Sequence, residues 1–403
     1  MAAPGTVRHV SDVERRARIA LRHGIAPGSR LPDAVAATRA MTVLHATEPA
    51  TVYLSLHARV DGLTVDDVDR ELYDRRSLVK QLAMRRTVFV FPRDLLPAAW
   101  GSSSARVAAQ LRPRLAKDVE QGGLAHDGAA WVDRACAAVV ARLADGSELS
   151  AKALREELPA LEGRIDIAVG KAYAANVAMS PRVLTQLGVE GLITRGRNGG
   201  HWRISRPQWT SMAAWLGDVP EAWPAAEGWA ELVRRWLRTF GPGTAADVQW
   251  WLGATVGIVK QALADVGAVE VSLDDGQVGW LLPDDLDEVS HDEPWVALLP
   301  VLDPTVMGWK SRAFYLEPDH VPHLFDTNGN AGTTAWVDGR VVGCWVQDAL
   351  GVVDVRLVEK VPRPGVRALA AEAERLTAWL DGVRVGTVYP SAAMKAVQHV
   401  GPA

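Results

Sequence analysis

Thr244-Ala245-Ala246-Asp247-Val248, then Gly253, residues 256–266, Val269-Glu270-Val271-Ser272-Leu273 and residues 278–282 across Asp274-Asp275-Gly276, is the stretch that decides the fold. Thr244 is a hydroxyl cap just before a helical run, and Gly253 supplies a stop. A second helix is predicted over 256–266. The β-favouring runs on either side of Asp-Asp-Gly read as a hairpin. Helix, turn, helix and hairpin is the order that a helix-turn-helix with a wing requires.

Upstream the same order recurs. Leu149-Ser150-Ala151-Lys152-Ala153-Leu154 opens a capped helix, Ser180-Pro181-Arg182-Val183-Leu184 opens a second with Pro in its first turn, and residues 192–204 read as two strands around Gly199-Gly200. Further back, Thr64-Val65-Asp66-Asp67-Val68 starts a capped helix, residues 76–84 read as another, and Thr87-Val88-Phe89-Val90-Phe91 reads as a strand closing at Pro92. Three capped starts, at Thr64, Ser150 and Thr244, point to a tandem repeat of one architecture. Residues 11–22 and 33–44 are predicted helices, capped by Ser11 and preceded by Pro32, and Val52, Leu54, Leu56 and Val60 mark another that Gly62 ends. Long helices over 95–119 and 129–143 link the first two repeats.

From Trp295 onward the pattern turns to strands: 296–299, 333–337, 341–346, 352–358 and 383–389, with Asp338-Gly339 as a hairpin turn and one helix over 365–380. The expected fold class is therefore α+β: three tandem winged-helix units and a C-terminal β-rich, barrel-like domain. The expected domains are 1–120, a first unit; 121–217, linker helices and a second unit; 218–290, a third; and 291–403, the β-rich domain.

Composition narrows the function. The 403 residues are 48% hydrophobic and 23% charged, with no apolar run of membrane-spanning length and no apolar leader at the N-terminus. A cytoplasmic protein associated with the nucleoid, acting as a monomer without membrane contact, is expected. Cys136 and Cys344 are the only cysteines and stand far apart, so they read as buried small hydrophobes; no metal-ligand spacing or phosphate loop is present, and no metal or cofactor is expected. Sixteen tryptophans against five tyrosines and five phenylalanines read mainly as core anchors.

With a net charge of −4, any DNA site must come from local segregation of charge. The second wing carries Arg195, Arg197, His201, Arg203 and Arg206 with no acid between them in the chain, the strongest candidate grip on phosphates. Arg85 and Arg86 precede the first strand, and Lys310 and Arg312 follow Asp303-Pro304. Each of these also reads as an ordinary solvated face. The third wing bears Asp274 and Asp275, which repel phosphate and suit a packing role.

His45-Ala46-Thr47-Glu48-Pro49 through Arg59, Met84-Arg85-Arg86-Thr87, Phe240-Gly241-Pro242-Gly243-Thr244, Leu281-Leu282-Pro283-Asp284-Asp285, Leu302-Asp303-Pro304-Thr305, Gly308-Trp309-Lys310, Gly329-Asn330-Ala331-Gly332 and Asp338-Gly339-Arg340-Val341-Val342-Gly343 occur in that order along most of the chain. This set resembles the tandem winged-helix DNA glycosylase superfamily of AlkZ- and YcaQ-like proteins. The resemblance implies winged helices and a C-terminal barrel encircling duplex DNA, with release of alkylated purines, crosslinked ones included, and no metal. The superfamily's Gln-x-Gln or Gln-x-Asp signature falls here on His45-Ala46-Thr47, so both functional positions differ.

A cationic N7-alkylated purine leaves without strong acid catalysis, so the site mainly has to orient water and stabilise a cationic sugar. His45 can hold water through a ring nitrogen and accept its proton. Thr47 can hold it by its hydroxyl, and Glu48 can stabilise the sugar or activate the water. Plain structural roles compete: Thr47 or Glu48 as the cap of a helix with Pro49 in its first turn, and His45 as a packed histidine at a helix end. Three functions remain open: a monofunctional alkylpurine DNA glycosylase acting on double-stranded DNA, a noncatalytic DNA-binding or damage-sensing protein, and a scaffold whose winged helices touch only protein.

Overall fold

The computed structural model describes residues 7–167, 170 and 174–396. The chain divides into two units, one formed by Met1–Val68 with Val233–Ala403 and the other by Asp69–Leu232.

In the first unit the deciding stretch folds as expected. Thr244 accepts from the Asp247 backbone while the Asp247 carboxylate bonds back to Thr244, a closed capping box for the Ala245–Leu252 helix. Gly253, at φ 62°, ends it in the left-handed region. The helix Val256–Asp265 is capped by Thr255, and Val269–Leu273 pairs antiparallel with Val278–Leu281. His9–Val10 adds a parallel strand to that hairpin. Asp274, although exposed, is engaged within the chain: it accepts from the Asp12 amide at 2.7 Å and bonds His9 Nε2 at 2.9 Å. The acidic hairpin thus anchors the N-terminal segment.

Nearer the N-terminus, Asp12–Arg22 is capped by Ser11 as predicted. The helix expected over 33–44 stops early, at Ala34–Ala40, because Thr42 enters the left-handed region at φ 65°; Leu44–His45 is then extended, so His45 does not sit on a helix end. The next helix is Pro49–His57.

The C-terminal part is an open four-stranded antiparallel sheet in the order Val296–Leu299, Thr334–Val337, Arg340–Gln347, Val353–Leu357, with the helix Arg363–Leu380 packed on it. It is not a closed barrel. Asp338 and Gly339, at φ 46° and 82°, make the expected two-residue turn. No strand forms over 383–389: Val383 and Val385 bond the Gln347 side chain, and the Val388 amide bonds Glu48, so side chains take the partners that a ladder needs.

The second unit contains the chief misreading. Residues 76–84, expected helical, form the strand Leu78–Leu82 paired antiparallel with Val88–Pro92. Arg76 at φ 55° interrupts helical continuation, and its guanidinium donates to the Trp215 carbonyl at 2.7 Å. A partner strand ten residues on outweighs local helix propensity. Ala105–Gln121, Gly128–Arg142, Ala151–Glu157 and Ser180–Val189 appear as helices close to the predicted spans. The short hairpin Arg164–Ile167 with Ala175–Ala178 was not anticipated. Further on, Ile193–Asn198 pairs with Pro207–Ser211, not with residues before 204. Asn198 causes this: its Nδ2 donates to the carbonyls of Gly200, His201 and Ile204, and its Oδ1 accepts from the Arg206 amide, holding 199–206 as a loop.

Nine of the sixteen tryptophans are buried, as core anchors should be. Cys136 and Cys344 are free, and burial pushes both thiols up to about 11. Among the described residues no helix is long and apolar enough to cross a membrane.

Candidate active site

Glu48 holds the cap position of the Pro49–His57 helix, extended at φ −102°, with Pro49 in the first turn, yet its side chain does not cap the helix. Its carboxylate reaches the C-terminal segment instead: Oε1 accepts from Thr387 Oγ1 at 2.9 Å and from the Val388 amide at 2.6 Å. Oε2 is buried and has no hydrogen-bond partner. Burial raises the Glu48 carboxyl above the ordinary carboxylate range, against the lowering effect of the Val388 and Thr387 bonds.

That carboxylate lines a cavity of about 240 Å³ with Thr51, Leu54, Trp345, Gln347 and Met394. The other polar side chains of its wall are occupied. Thr51 donates to the Val301 carbonyl, Trp345 Nε1 to the Leu299 carbonyl, Gln347 bonds Gly351, Val383 and Val385, and Thr333 bonds the Trp345 backbone. Glu48 Oε2 is therefore the polar atom here with capacity to spare, in apolar surroundings where an unanswered carboxylate oxygen costs free energy.

The helix behind Glu48 is pinned from below. Arg59 and Asp303 form a fully buried two-point ion pair at 2.9 and 2.7 Å. Ser55 donates to Asp303 Oδ2 at 2.7 Å and the Thr305 amide to Oδ1 at 2.9 Å. Arg59 also donates to the Ser55 carbonyl and to Thr305 Oγ1. Burial pushes the Asp303 carboxyl up, but Arg59, Ser55 and Thr305 outweigh it and hold it below the usual range. The pair ties residues 300–305, which contribute Pro300 and Val301 to the cavity wall, to the helix that starts at Glu48.

Of the residues picked from sequence, Glu48 lines the cavity; Thr47, half-buried, and His45, 8% exposed, do not. Arg85 and Arg86 form the tip of the Leu78–Leu82 hairpin, both left-handed at φ 53° and 57°, with Arg86 exposed. His201, Arg203 and Arg206 lie exposed on the loop that Asn198 holds. Arg197 pairs with Asp74 at 2.5 Å and its amide bonds Glu148, so folding brings acids to a segment that has none in sequence. Arg195 is half-buried over the Trp209 ring. Lys310 is exposed, whereas Arg312 lies over the Trp250 and Phe325 rings. Sequence reasoning missed the roles of Thr387 and Val388, whose contact with Glu48 spans about 340 residues. No local pattern could have signalled it.

The family model for AlkZ-like DNA glycosylases matches residues 38–379. The chain belongs to the AlkZ-like DNA glycosylase family. The match begins just before the His45–Glu48 segment and ends near the close of the C-terminal helix. Among solved structures, the Streptomyces sahachiroi DNA glycosylase AlkZ is similar, with a TM-score of 0.67 at 19% identity over 91% of this chain and 96% of that one. This likeness establishes the mixed α+β fold. No curated protein matches the chain.

Proposed function

We propose that the chain is a monofunctional DNA glycosylase that releases bulky N-alkylated purines from duplex DNA by water attack, with Glu48 as the principal group. The observation that carries this reading is the Glu48 carboxylate, diverted from capping its own helix and left with one unanswered oxygen at the wall of a cavity. In the scheme, the bond between C1′ and the purine nitrogen breaks, its electron pair goes to the cationic base, and water adds to C1′. The water proton passes to Glu48. Before attack, the desolvated carboxylate stabilises the cationic sugar more than it would in bulk water. His45 and Thr47 stand at the two positions where the superfamily signature supplies amides, but outside the wall of this cavity, so Glu48 is the group left to hold the water. Read as winged helices, the tandem units offer Arg85, Arg86, Arg195, Arg197, His201, Arg203, Lys310 and Arg312 to DNA phosphates. Crosslink unhooking and self-resistance to an alkylating genotoxin fit the same chemistry.

The test is release of N7-alkylguanine from a duplex oligonucleotide by the wild type and by His45→Ala and Glu48→Gln. Release by the wild type and its loss in Glu48→Gln support the scheme. A second reading, a noncatalytic DNA-binding protein, is favoured by the position of His45 and Thr47 outside the cavity wall. It predicts salt-dependent duplex binding with no base released.

A further inference from the structure

Within the second unit, the strand Leu78–Leu82 meets the strand Ile193–Asn198, and Thr194 Oγ1 donates to the Lys80 carbonyl at 3.2 Å. Lys80 and Arg195 thereby share one shallow depression, with Thr185, Thr194 and Trp209 in its wall. Lys80 Nζ donates to Tyr73 Oη at 2.7 Å and lies 4.7 Å from the centre of that ring. Arg195 lies 5.3 Å from the centre of the Trp209 ring. Both cations are half-buried, and among the described residues neither is ion-paired with a carboxylate.

Several other arginines of the unit are answered by acids. Arg75 pairs with Glu71, Arg112 with Asp133 and Glu190, Arg142 with Asp145 and Glu157, Arg182 with Asp118 and Arg197 with Asp74. Beside those pairs, two desolvated like charges side by side without an acid are an arrangement that costs free energy until an anion arrives. Burial and the neighbouring Arg195 push the Lys80 ammonium down to about 8, against the opposing pull of Asp69. Burial lowers Arg195 as well.

We propose that Lys80 and Arg195, backed by Tyr73 and Trp209, form a single seat for one phosphate group. The depression holds about 20 Å³, room for one oxygen. That size suits a backbone phosphodiester offering a non-bridging oxygen from outside better than an engulfed free phosphate. The choice of DNA as the source rests on the glycosylase reading; the seat itself does not.

The experiment measures duplex affinity against salt concentration for the full chain and for Lys80→Met, Arg195→Met, the double variant and Lys80→Arg, with folding checked by circular dichroism. Inorganic phosphate binding is followed in parallel by tryptophan fluorescence, and base release is assayed separately. Because each neutralised phosphate contributes a slope of about 0.9, one shared phosphate predicts that either single variant lowers the slope by about 0.9 and that the double variant loses no more. Lys80→Arg restores the wild-type slope. A double variant that loses twice as much overturns the shared seat, as does an unchanged slope in both single variants together with unchanged phosphate binding; an absence of duplex binding by the wild type overturns DNA as its source. If either Met variant fails to fold, Tyr73→Phe takes its place, expected to weaken binding with the slope retained; unchanged binding in it overturns the assignment. Phosphate binding lost in Lys80→Met without a change in duplex slope assigns the seat to free phosphate and overturns DNA as its source. Slope loss without base release leaves the seat standing and removes the catalytic reading alone.

Discussion

Glu48 and Asp303 are two carboxylates in the same unit, attached to the two ends of one short helix, and they are treated in opposite ways. Asp303 receives four bonds, from both terminal nitrogens of Arg59, from Ser55 and from the Thr305 amide. Glu48 receives two, both on one oxygen, and its second oxygen is buried with none. Their protonation follows: Asp303 is held below the usual range and Glu48 above it. A fully answered carboxylate organises the fold, whereas a half-answered one at a cavity wall retains the capacity to act on something else.

The largest effect expected from breaking this contrast is on stability. Arg59→Met leaves the Asp303 charge buried and half-paired, and chemical denaturation is expected to show a loss of about 3–5 kcal/mol. Glu48→Gln is expected to do the reverse. It keeps shape and the Thr387 and Val388 bonds, so the denaturation midpoint stays close to wild type. Single-turnover base release falls by about 10²–10³, the size associated with losing one transition-state electrostatic group. Ser55→Ala removes one of four bonds to Asp303 and should cost about 1–3 kcal/mol, again read in denaturant, with base release per folded molecule preserved.

The smallest effect concerns a third buried group. His57 is stacked on Trp379 with ring centres 4.5 Å apart, its two nitrogens have no hydrogen-bond partner, and burial with Arg375 and Arg30 pushes it down to about 3. An unfolded histidine titrates near ~6.5, so the unfolded chain binds the extra proton first. Stability is full above that pH and is lost as pH falls toward 3. His57→Phe keeps the stacking and should flatten the fall in melting temperature between pH 7.5 and pH 5. His23, also pushed down to about 3 by burial and Arg59, keeps part of the fall in place.

What the sequence disclosed follows from the range of the forces involved. Caps at Ser11, Ser150 and Thr244 and the Asp338-Gly339 turn act over three or four residues, and these local signals were readable. Residues 76–84 were misread because their strand depends on a partner outside the local helical pattern. The barrel reading failed because residues 383–389 spend their backbone bonds on Gln347 and Glu48. Glu48 was reachable from its neighbours in the superfamily signature, but its diversion to Thr387 was not. Arg197 appeared free of acids only because Asp74 lies 123 residues away.

The most direct test of the account is the pH dependence of N7-methylguanine release from a duplex oligonucleotide under single-turnover conditions, for wild type and Glu48→Gln. The account predicts release by the wild type that rises with pH along a limb lying above the ordinary glutamate range, because the carboxyl must first lose its raised proton. In Glu48→Gln that limb disappears and the plateau drops by about two orders of magnitude or more. An identical rate and profile in the two proteins, or no release by the wild type at any pH, would contradict it.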